Sequence, residues 1–391
     1  MKKVLIFSLV YYPKFIGGAE VAIKEITDRL DQDQYDFDMI TLRLDNKLPK
    51  VEKIGNVTIH RVGFSGDCKD SADSLKFPYY LNKYLLIPLG FFKALSLHRK
   101  NKYDVVWSMM ATYNSFAAVL FKMFKKDVKY LLTLQEGDSF EHIKKRAKPL
   151  WPIFTRIFTK ADHIQVISNY LGEFARDMGY RGQISLVPNA VDYKYFSEVD
   201  QNKVEEIKRE YDKKDEDVWL ITTSRLVDKN AIGDVINAMP KLQKNVKFLI
   251  LGDGYQEEKL IRQAKDLNLE ERVFFLGYIP HDKMRFYLHA SDIFIRPSLS
   301  EGFGNSYVEA MATRIPVIAT EVGGIVDFVE HKRTGLFVGV HDSQDIALKV
   351  EMLLRDVDLK EEIIDNADEM VKEKYDWSLV SGQMDDVFRR L

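Results

Sequence analysis

Along this chain, short apolar runs alternate with segments whose apolar residues recur at helical spacing. The run over residues 4–10 precedes an amphipathic segment over 18–30, and the same alternation continues to about residue 187. A second cycle starts at Trp219 and passes through an apolar run over 293–296. Repeated strand–helix order predicts two parallel sheets, each covered by helices on both faces. The predicted fold class is therefore α/β, with two doubly wound domains.

A break at mid-chain predicts where the first domain ends. Val187-Pro188-Asn189 interrupts the alternation, and the strongly charged segment 200–217 follows it. We expect a first domain over 1–190 and a second domain over 191–375. A helix predicted over 376–391 either completes the second domain or packs elsewhere.

The composition excludes several classes of protein. A chain of 391 residues with 46% apolar content can bury two cores. Its one cysteine, Cys68, excludes a disulfide framework within one chain and favours a reducing compartment. The first apolar run ends at Tyr11-Tyr12-Pro13 without a small-residue cleavage site, which favours a buried strand over a signal peptide. No apolar run approaches the roughly 20 residues that span a bilayer.

The charge is distributed unevenly. Residues 1–195 hold 30 Lys and Arg against 21 Asp and Glu, whereas the remaining residues hold 27 against 38. Two basic clusters, over 122–129 and 144–160, suit an anionic membrane surface or a phosphorylated acceptor. The alternative is a solvated helix face whose aromatic residues belong to the core. Nucleic acid is not an expected partner, because no recognition module is present. The aromatic residues of these clusters are Phe121, Phe124, Trp151, Phe154 and Phe158.

The candidate chemistry centres on residues 298–329, which read SLSEGFGNSYVEAMATRIPVIATEVGGIVDFV. Gly302 and Gly304 lack side chains and so allow a ligand to approach the backbone. Asn305 or Ser306 is placed to cap a helix, and the start of a helix attracts phosphate. This stretch therefore predicts an anion site at a loop that leads into a helix.

Two glutamates flank this loop. Glu301 precedes it, and Glu309 lies four residues after Asn305, on the side of the helix that holds the cap. Carboxylates repel a phosphate unless they accept hydrogen bonds from neutral hydroxyls beside it. A nucleotide sugar offers sugar hydroxyls, a diphosphate and ribose hydroxyls in that order. The alternative is an ordinary helix start with a surface pair of glutamates.

Other turns after predicted strands carry glycines or charges. Gly17-Gly18 and Gly252-Asp253-Gly254 are either turn glycines or places where a phosphate approaches the backbone. Both lack the complete dinucleotide fingerprint, so hydride chemistry has little support. Arg225 follows the strand that begins at Trp219, where a guanidinium can clamp a diphosphate bidentately.

Acidic residues elsewhere predict no metal site. Asp36-Phe37-Asp38 matches the D-x-D pattern, but it opens a short strand near the N-terminus, and we interpret it as solvated. The eight histidines show no metal-ligand spacing. Glu136 and Asp138 either face an acceptor or serve as cap and turn residues.

Residues 297–324 read P-S-x-x-E-G-F-G-x-x-x-x-E-A-M-A-x-x-x-P-V-I-A-T-x-x-G-G. This pattern resembles the retaining glycosyltransferases of family 4, which have the GT-B fold. The resemblance spans nearly the whole chain and implies two Rossmann-like domains that face a central cleft. It implies that the first domain binds the acceptor, that the second binds a nucleotide sugar, and that the C-terminal helix crosses back to the first domain.

The same resemblance implies the site residues. Glu301 would contact the sugar hydroxyls, Glu309 the ribose and Arg225 the diphosphate. The family uses a lysine five residues after this arginine; here Asn230 stands at that position and Lys229 comes one residue early. Many members carry T-x-H where this chain ends a strand with Gln135. Catalytic roles are implied for Glu301, Arg225 and Gln135, and donor-binding roles for Gly17, Gly18, Lys229, Asn230, Tyr278, Ile279, Gly302, Phe303, Gly304, Asn305, Ser306 and Glu309.

The activity implied by the resemblance is retaining transfer of a hexose-type sugar from a nucleotide diphosphate donor to a glycan or glycolipid hydroxyl. No metal and no cofactor are expected. The expected setting is polysaccharide assembly in the cytoplasm, at the inner face of the cell membrane. The departures at Gln135 and Asn230 keep open a non-catalytic, nucleotide-sugar-binding partner subunit. A nucleotide-sugar epimerase or hydrolase of the same architecture would need an acid/base pair that we do not find.

Overall fold

The computed structural model describes residues 1–66, 75–148 and 151–391. Cys68 lies outside these ranges, as do the first two residues of the helix predicted over 149–159. The chain forms two compact units, one of residues 1–189 with 377–391 and one of residues 190–376.

An eight-stranded sheet forms the centre of the first unit, in the order β3-β4-β2-β1-β5-β6-β7-β8. All neighbouring strands run parallel except β3 and β4. The sequence pattern did not predict β3, because this edge strand has only four residues and alternates between exposed and half-buried positions. The strands are β1 (Lys2–Phe7), β2 (Tyr35–Leu42), β3 (Val51–Ile54), β4 (Val57–Val62), β5 (Val105–Met109), β6 (Lys129–Leu134), β7 (His163–Val166) and β8 (Gln183–Leu186).

Helices follow most of the parallel strands of this sheet, as the alternating pattern predicts, whereas β2 leads to β3. They bury apolar residues such as Ile23, Leu86 and Phe121. The helices are α1 (Gly18–Arg29), α2 (Leu81–Asn101), α3 (Tyr113–Phe124), α4 (Phe140–Ala147), α5 (Trp151–Thr159) and α6 (Asn169–Asp177).

The second unit has a six-stranded, all-parallel sheet in the order β11-β10-β9-β12-β13-β14. Its core gathers aliphatic residues from the strands and from the helices that cover them. The strands are β9 (Val218–Thr223), β10 (Val246–Leu251), β11 (Val273–Gly277), β12 (Ile293–Arg296), β13 (Val317–Thr320) and β14 (Leu336–Val338). The helices are α7 (Tyr193–Ser197), α8 (Gln201–Glu210), α9 (Ile232–Ala238), α10 (Glu257–Asp266), α11 (His281–His289), α12 (Asn305–Ala312), α13 (Ser343–Arg355) and α14 (Val357–Lys374).

The last helix, α15 (Trp377–Arg390), belongs to the first unit and packs against α1. Its Phe388 is fully buried, and its ring lies 5.3 Å from that of Trp107 and 5.7 Å from that of Tyr35. The Tyr35 hydroxyl donates to Asp385 at 2.6 Å. This helix therefore supplies part of the core of the first unit.

The interpretation of Asp38 as a solvated residue is wrong. Asp38 is only 6% exposed, because β2 lies inside the sheet between β1 and β4. Its carboxylate accepts hydrogen bonds from His60 (2.6 Å), Tyr103 (2.6 Å) and Asn101 (2.7 Å). Partners distant in sequence thus satisfy a carboxylate that its neighbours in sequence leave unpaired.

Among the helices in the described part of the chain, none has the length and apolarity needed to cross a bilayer.

We expect Phe388→Ala to lower the free energy of unfolding of the first unit by about 3–5 kcal/mol, because it leaves a cavity among aromatic rings. Urea denaturation followed by intrinsic fluorescence measures this loss. The matched control is Leu379→Ala on the same helix, where the side chain is 45% exposed, and its effect should stay within about 0.5 kcal/mol. Equal stabilities for the two variants would contradict a core role for α15.

Candidate functional site

The loops at the carboxyl edge of the second sheet hold most of the predicted site residues. Because all strands of this sheet run parallel, their carboxyl ends share one edge, where ligands of doubly wound domains bind. Arg225 and Lys229 follow β9, Tyr278 and Ile279 follow β11, and Glu301 follows β12. The Leu299 amide donates to the Lys229 carbonyl at 2.7 Å, which ties the first of these loops to the third.

A hydrogen bond from the Asn230 side chain supports the loop that carries Arg225. The Arg225 side chain is exposed, whereas Asn230 is buried, and its Nδ2 donates to the Arg225 carbonyl at 2.6 Å. The expected contact between the Asn230 side chain and the donor stays a prediction. Asn230 supports the backbone that presents Arg225.

Close packing of two loops explains why residues 252 and 254 are glycines. A Cβ atom on Gly252 would lie 1.9 Å from the Ser224 carbonyl oxygen, and one on Gly254 would lie 2.3 Å from that of Leu226. The Leu226 amide donates to the Asp253 carbonyl at 2.7 Å. These glycines therefore let the loop after β10 lie directly against the loop of Arg225, as expected of turn glycines.

The predicted cap of α12 is wrong in detail. Gly304, not Asn305 or Ser306, is the N-cap, in the left-handed region at φ 102°. A side chain there would meet the Tyr307 ring at 2.7 Å, so glycine alone suits this position. Phe303 is buried against the rings of Phe328 and Tyr375, so only its backbone is available to a ligand.

Glu301 is paired with Arg296, a residue that the sequence analysis did not select. Nη2 of Arg296 donates to Oε2 of Glu301 at 2.7 Å, and Nη1 donates to Oγ of Ser306 at 2.8 Å. Burial alone would lower the pKa of the Arg296 guanidinium, but Tyr307 and Glu301 raise it above its ordinary value, so the group stays charged. The sequence did contain a signal for this residue, because Arg296 ends a strand that is otherwise apolar. A charged side chain buried at such a position requires partners.

Glu309 also has a basic partner. Its Oε1 lies 3.0 Å from Nε2 of His281, the first residue of α11. His281 follows the turn of Tyr278 and Ile279, and Tyr278 is 67% exposed. The structure therefore joins the helix of Glu309 to the turn of Tyr278 and Ile279, to which the resemblance assigns donor binding.

In the first unit, the predicted residues occupy the loops after β1 and β6. Gly17 and Gly18 are exposed where α1 begins, and the Gly17 amide donates to Glu20 at 2.9 Å. The Gln135 amide exchanges hydrogen bonds with Asn189, at 3.1 and 3.3 Å. Its orientation is therefore set by a second amide.

Glu136, next to Gln135, is a buried carboxyl group. Oε1 accepts a hydrogen bond from the Ala111 amide, and Oε2 has no hydrogen-bond partner among the described residues. Burial, only partly offset by backbone hydrogen bonds such as that of Ala111, raises the pKa of Glu136 to about 7. Glu136 thus keeps its proton in mildly acidic solution, unlike an exposed glutamate.

Most aromatic residues of the basic clusters lie in the core. Phe121, Phe154 and Phe158 are buried, which is the structure expected of a solvated helix face, and only Phe124 is largely exposed. Lys122 pairs with Asp162 at 2.7 Å rather than extending into solvent.

A different apolar surface is exposed on the same unit, where α2 packs against α3. We call it the α2–α3 face. Its large apolar side chains are 39–66% exposed. They are Tyr84, Leu85, Leu89 and Phe92 of α2 and Leu120, Met123 and Phe124 of α3.

Within the described ranges, no group of three or more His, Cys, Asp or Glu side chains is arranged to hold a metal ion.

Two family models match most of the chain. The model described as Glycosyltransferase Family 4 matches residues 16–195, and the model described as Glycosyl transferases group 1 matches residues 203–370.

Similar proteins agree with these matches. An uncharacterised glycosyltransferase of Methanocaldococcus jannaschii is 24% identical over 99% of this chain and 98% of the relative. The capsular polysaccharide biosynthesis glycosyltransferase CapM of Staphylococcus aureus is 30% identical, but the match covers only 51% of this chain and 52% of the relative. The solved structure of Anabaena HepE in complex with UDP-glucose has a TM-score of 0.81 at 18% identity and covers all of both chains. At this identity, the likeness shows the fold.

The buried carboxyl of Glu136 makes stability depend on pH. Its pKa is about 7 in the folded state, above the ordinary 4.5, so the folded chain binds this proton more tightly than the unfolded chain does. Below about pH 4.5 this proton stabilises the folded chain by about 3 kcal/mol. That contribution to the free energy of unfolding is lost as the pH rises to 7. We expect Glu136→Gln to lack this dependence. Wild type should therefore lose stability relative to Glu136→Gln between pH 5 and 8, as measured by urea denaturation.

The exposed Glu141→Gln is the matched control for this comparison and should follow wild type at every pH. A constant difference between wild type and Glu136→Gln across this range would show that the carboxyl is ionised throughout.

Proposed function

The chain belongs to glycosyltransferase family 4 and has the GT-B fold, and on that premise we propose that it transfers a hexose-type sugar from a nucleoside diphosphate donor to a hydroxyl acceptor. The reaction breaks the bond between the anomeric carbon and the diphosphate and forms a bond from that carbon to the acceptor oxygen. The acceptor proton passes to the departing phosphate. We further propose that the anomeric configuration is retained and that the product is a polysaccharide or a glycolipid.

The observation that carries this proposal is the charge pattern at the carboxyl edge of the second sheet. Arg225 and the N-terminus of α12 are suited to a diphosphate, because both favour negative charge. Glu301 and Glu309 are suited to hydroxyls, and each has a basic neighbour, Arg296 or His281. The charge of Arg296 thus compensates that of Glu301, which reduces its repulsion of a diphosphate.

We assign the chemical roles accordingly. Arg225 and Lys229 stabilise the charge that develops on the leaving diphosphate, without a metal ion. Glu301 accepts hydrogen bonds from sugar hydroxyls and Glu309 from the ribose. The backbone of Gly302–Ser306 holds the diphosphate, and that of Tyr278 and Ile279 holds the base. Catalysis then rests on positioning and leaving-group stabilisation.

The first unit is proposed to bind the acceptor and to contact the sugar through Gln135, with Gly17 and Gly18 allowing close approach to the backbone. Gln135 retains a hydrogen-bonding amide where many family members carry a titrating histidine. A non-catalytic donor-binding subunit is the second candidate. The support that Asn230 gives to Arg225 weakens that candidate, because it explains one of the two departures structurally.

We propose that the α2–α3 face rests on an anionic membrane surface when the acceptor is a lipid. The exposed residues of α2 lie on one side of the helix, and Phe92 and Phe124 are 65% and 66% exposed. Arg99, Lys100 and Lys126 are exposed at the C-terminal ends of the same two helices, where they can meet lipid phosphates.

A nucleotide-sugar panel with EDTA present tests the donor proposal. We expect one nucleotide sugar to raise the melting temperature of wild type and to be slowly hydrolysed. Arg225→Ala should weaken its binding roughly 10- to 100-fold, because a charge-assisted contact to phosphate is lost. The matched control is Arg262→Ala, an exposed arginine on α10, which should bind like wild type.

Binding without turnover, even when acceptors are supplied, would favour the non-catalytic subunit. Loss of turnover in EDTA would contradict metal independence. The anomeric configuration of the product, read by NMR, decides retention.

Vesicle flotation tests the membrane proposal. Wild type should float with vesicles that contain phosphatidylserine and stay in the soluble fraction with pure phosphatidylcholine. Phe92→Ser with Phe124→Ser should abolish flotation, because insertion of apolar rings contributes most of the binding. Leu348→Ser, which changes a 56% exposed leucine of the second unit, is the control and should float like wild type. If wild type floats with neither vesicle, the α2–α3 face has another partner.

A further inference from the structure

Arg296 is a charged residue in the interior of the second unit. It ends β12, is only 6% exposed, and stacks over the Tyr307 ring with its guanidinium 4.5 Å from the ring centre. Its three nitrogens donate hydrogen bonds to three different side chains. Nε donates to Oγ of Ser298 at 3.1 Å, Nη1 to Oγ of Ser306 at 2.8 Å and Nη2 to Oε2 of Glu301 at 2.7 Å.

This geometry requires an arginine. A guanidinium presents its donors in one rigid plane, so its three acceptors are fixed relative to one another. A lysine has a single nitrogen at the end of a flexible chain and cannot reproduce the fork. Arg296 therefore joins the loop of Ser298 and Glu301 to the first turn of α12 at Ser306.

The backbone of Glu301 is held independently of Arg296. The Gly324 amide donates to the Glu301 carbonyl at 3.0 Å, and a Cβ atom on Gly323 would lie 2.0 Å from that oxygen. The Gly302 amide lies 3.2 Å from Oε1 of Glu301. Arg296 alone among the contacts described here supplies a full positive charge to the carboxylate, whose side chain is 16% exposed.

We propose that Arg296 is a positioning residue for sugar transfer. It holds the Glu301 carboxylate in one orientation, so that Glu301 can accept a hydrogen bond from a donor sugar hydroxyl. Through Ser306 it fixes the same carboxylate relative to the N-terminus of α12, where the diphosphate binds. This inference rests on the proposed function, because it assigns a role within that donor site.

The role predicts a specific pattern of losses. Arg296→Met should bind the nucleoside diphosphate alone within about threefold of wild type, because the Arg225 loop and the α12 backbone remain. Its kcat with the nucleotide sugar should fall about 100-fold, as for loss of a charge-assisted contact that orients a group in the transition state. Arg296→Lys should recover part of that loss, because it keeps the charge without the fork.

A double-mutant cycle separates positioning from a merely structural role. If Arg296 acts through Glu301, then Arg296→Met should lower kcat at most about threefold further in a Glu301→Gln background. Ser306→Ala, which removes the other end of the fork, should give a smaller loss than Arg296→Met. Because Arg296→Met also leaves a buried partner unpaired, melting temperatures are recorded for every variant.

The matched control is Arg314→Met, which follows the other end of α12. Arg314 pairs with Asp365 at 2.6 Å and Asp368 at 3.1 Å, away from the Glu301 loop, so kcat should stay within about twofold of wild type. If Arg296→Met does not fold, the cycle is run with Arg296→Lys.

Independent, multiplicative losses in the double variant would overturn the positioning role and leave the proposed function standing. So would equal losses of nucleoside diphosphate and nucleotide-sugar binding. If wild type itself neither binds nor turns over any nucleotide sugar, the proposed function fails, and the role of Arg296 fails with it.

Discussion

Parallel strand direction is the constraint on which the second unit depends. Six strands that all run one way place their following loops at one edge, so segments far apart in sequence become neighbours there. The Arg225 loop illustrates the result. It receives a hydrogen bond from Leu299, contacts the backbone beside Gly252, and is supported by Asn230 below it. A loop held at three places presents a charged side chain at this edge of the sheet.

The same edge shows how acidic residues can serve an anionic ligand. Glu301 and Glu309 lie beside an anion-attracting helix start, where they would repel a diphosphate unless their charge is offset. Arg296 offsets the charge of Glu301 as a buried, charged guanidinium, whereas His281 contacts Glu309 as an imidazole that is 53% exposed. Both carboxylates are themselves largely shielded from solvent, with exposures of 16% for Glu301 and 14% for Glu309.

What could be predicted from sequence was local or periodic. The strands and most helices follow from apolar spacing, and the loop around Gly304 follows from its glycines. What failed depended on distant partners: Asp38 is buried because His60, Tyr103 and Asn101 meet it. Arg296 was not predicted as a site residue because it ends an apolar run, a pattern typical of a core strand. The family resemblance indicated which loops matter but not which groups hold them.

The two places where the chain enters and leaves the second unit lie side by side, since the Val191 amide donates to the Tyr375 carbonyl at 2.9 Å. The second unit is thus one continuous insertion, while the first is assembled from the segments on either side of it. During synthesis on the ribosome, Phe388 emerges only after the whole second unit, so the aromatic cluster around Trp107 stays open until then. The second unit can complete its core while the first still waits, and a chaperone that binds exposed aromatic surface would meet the amino-terminal part of the nascent chain longest.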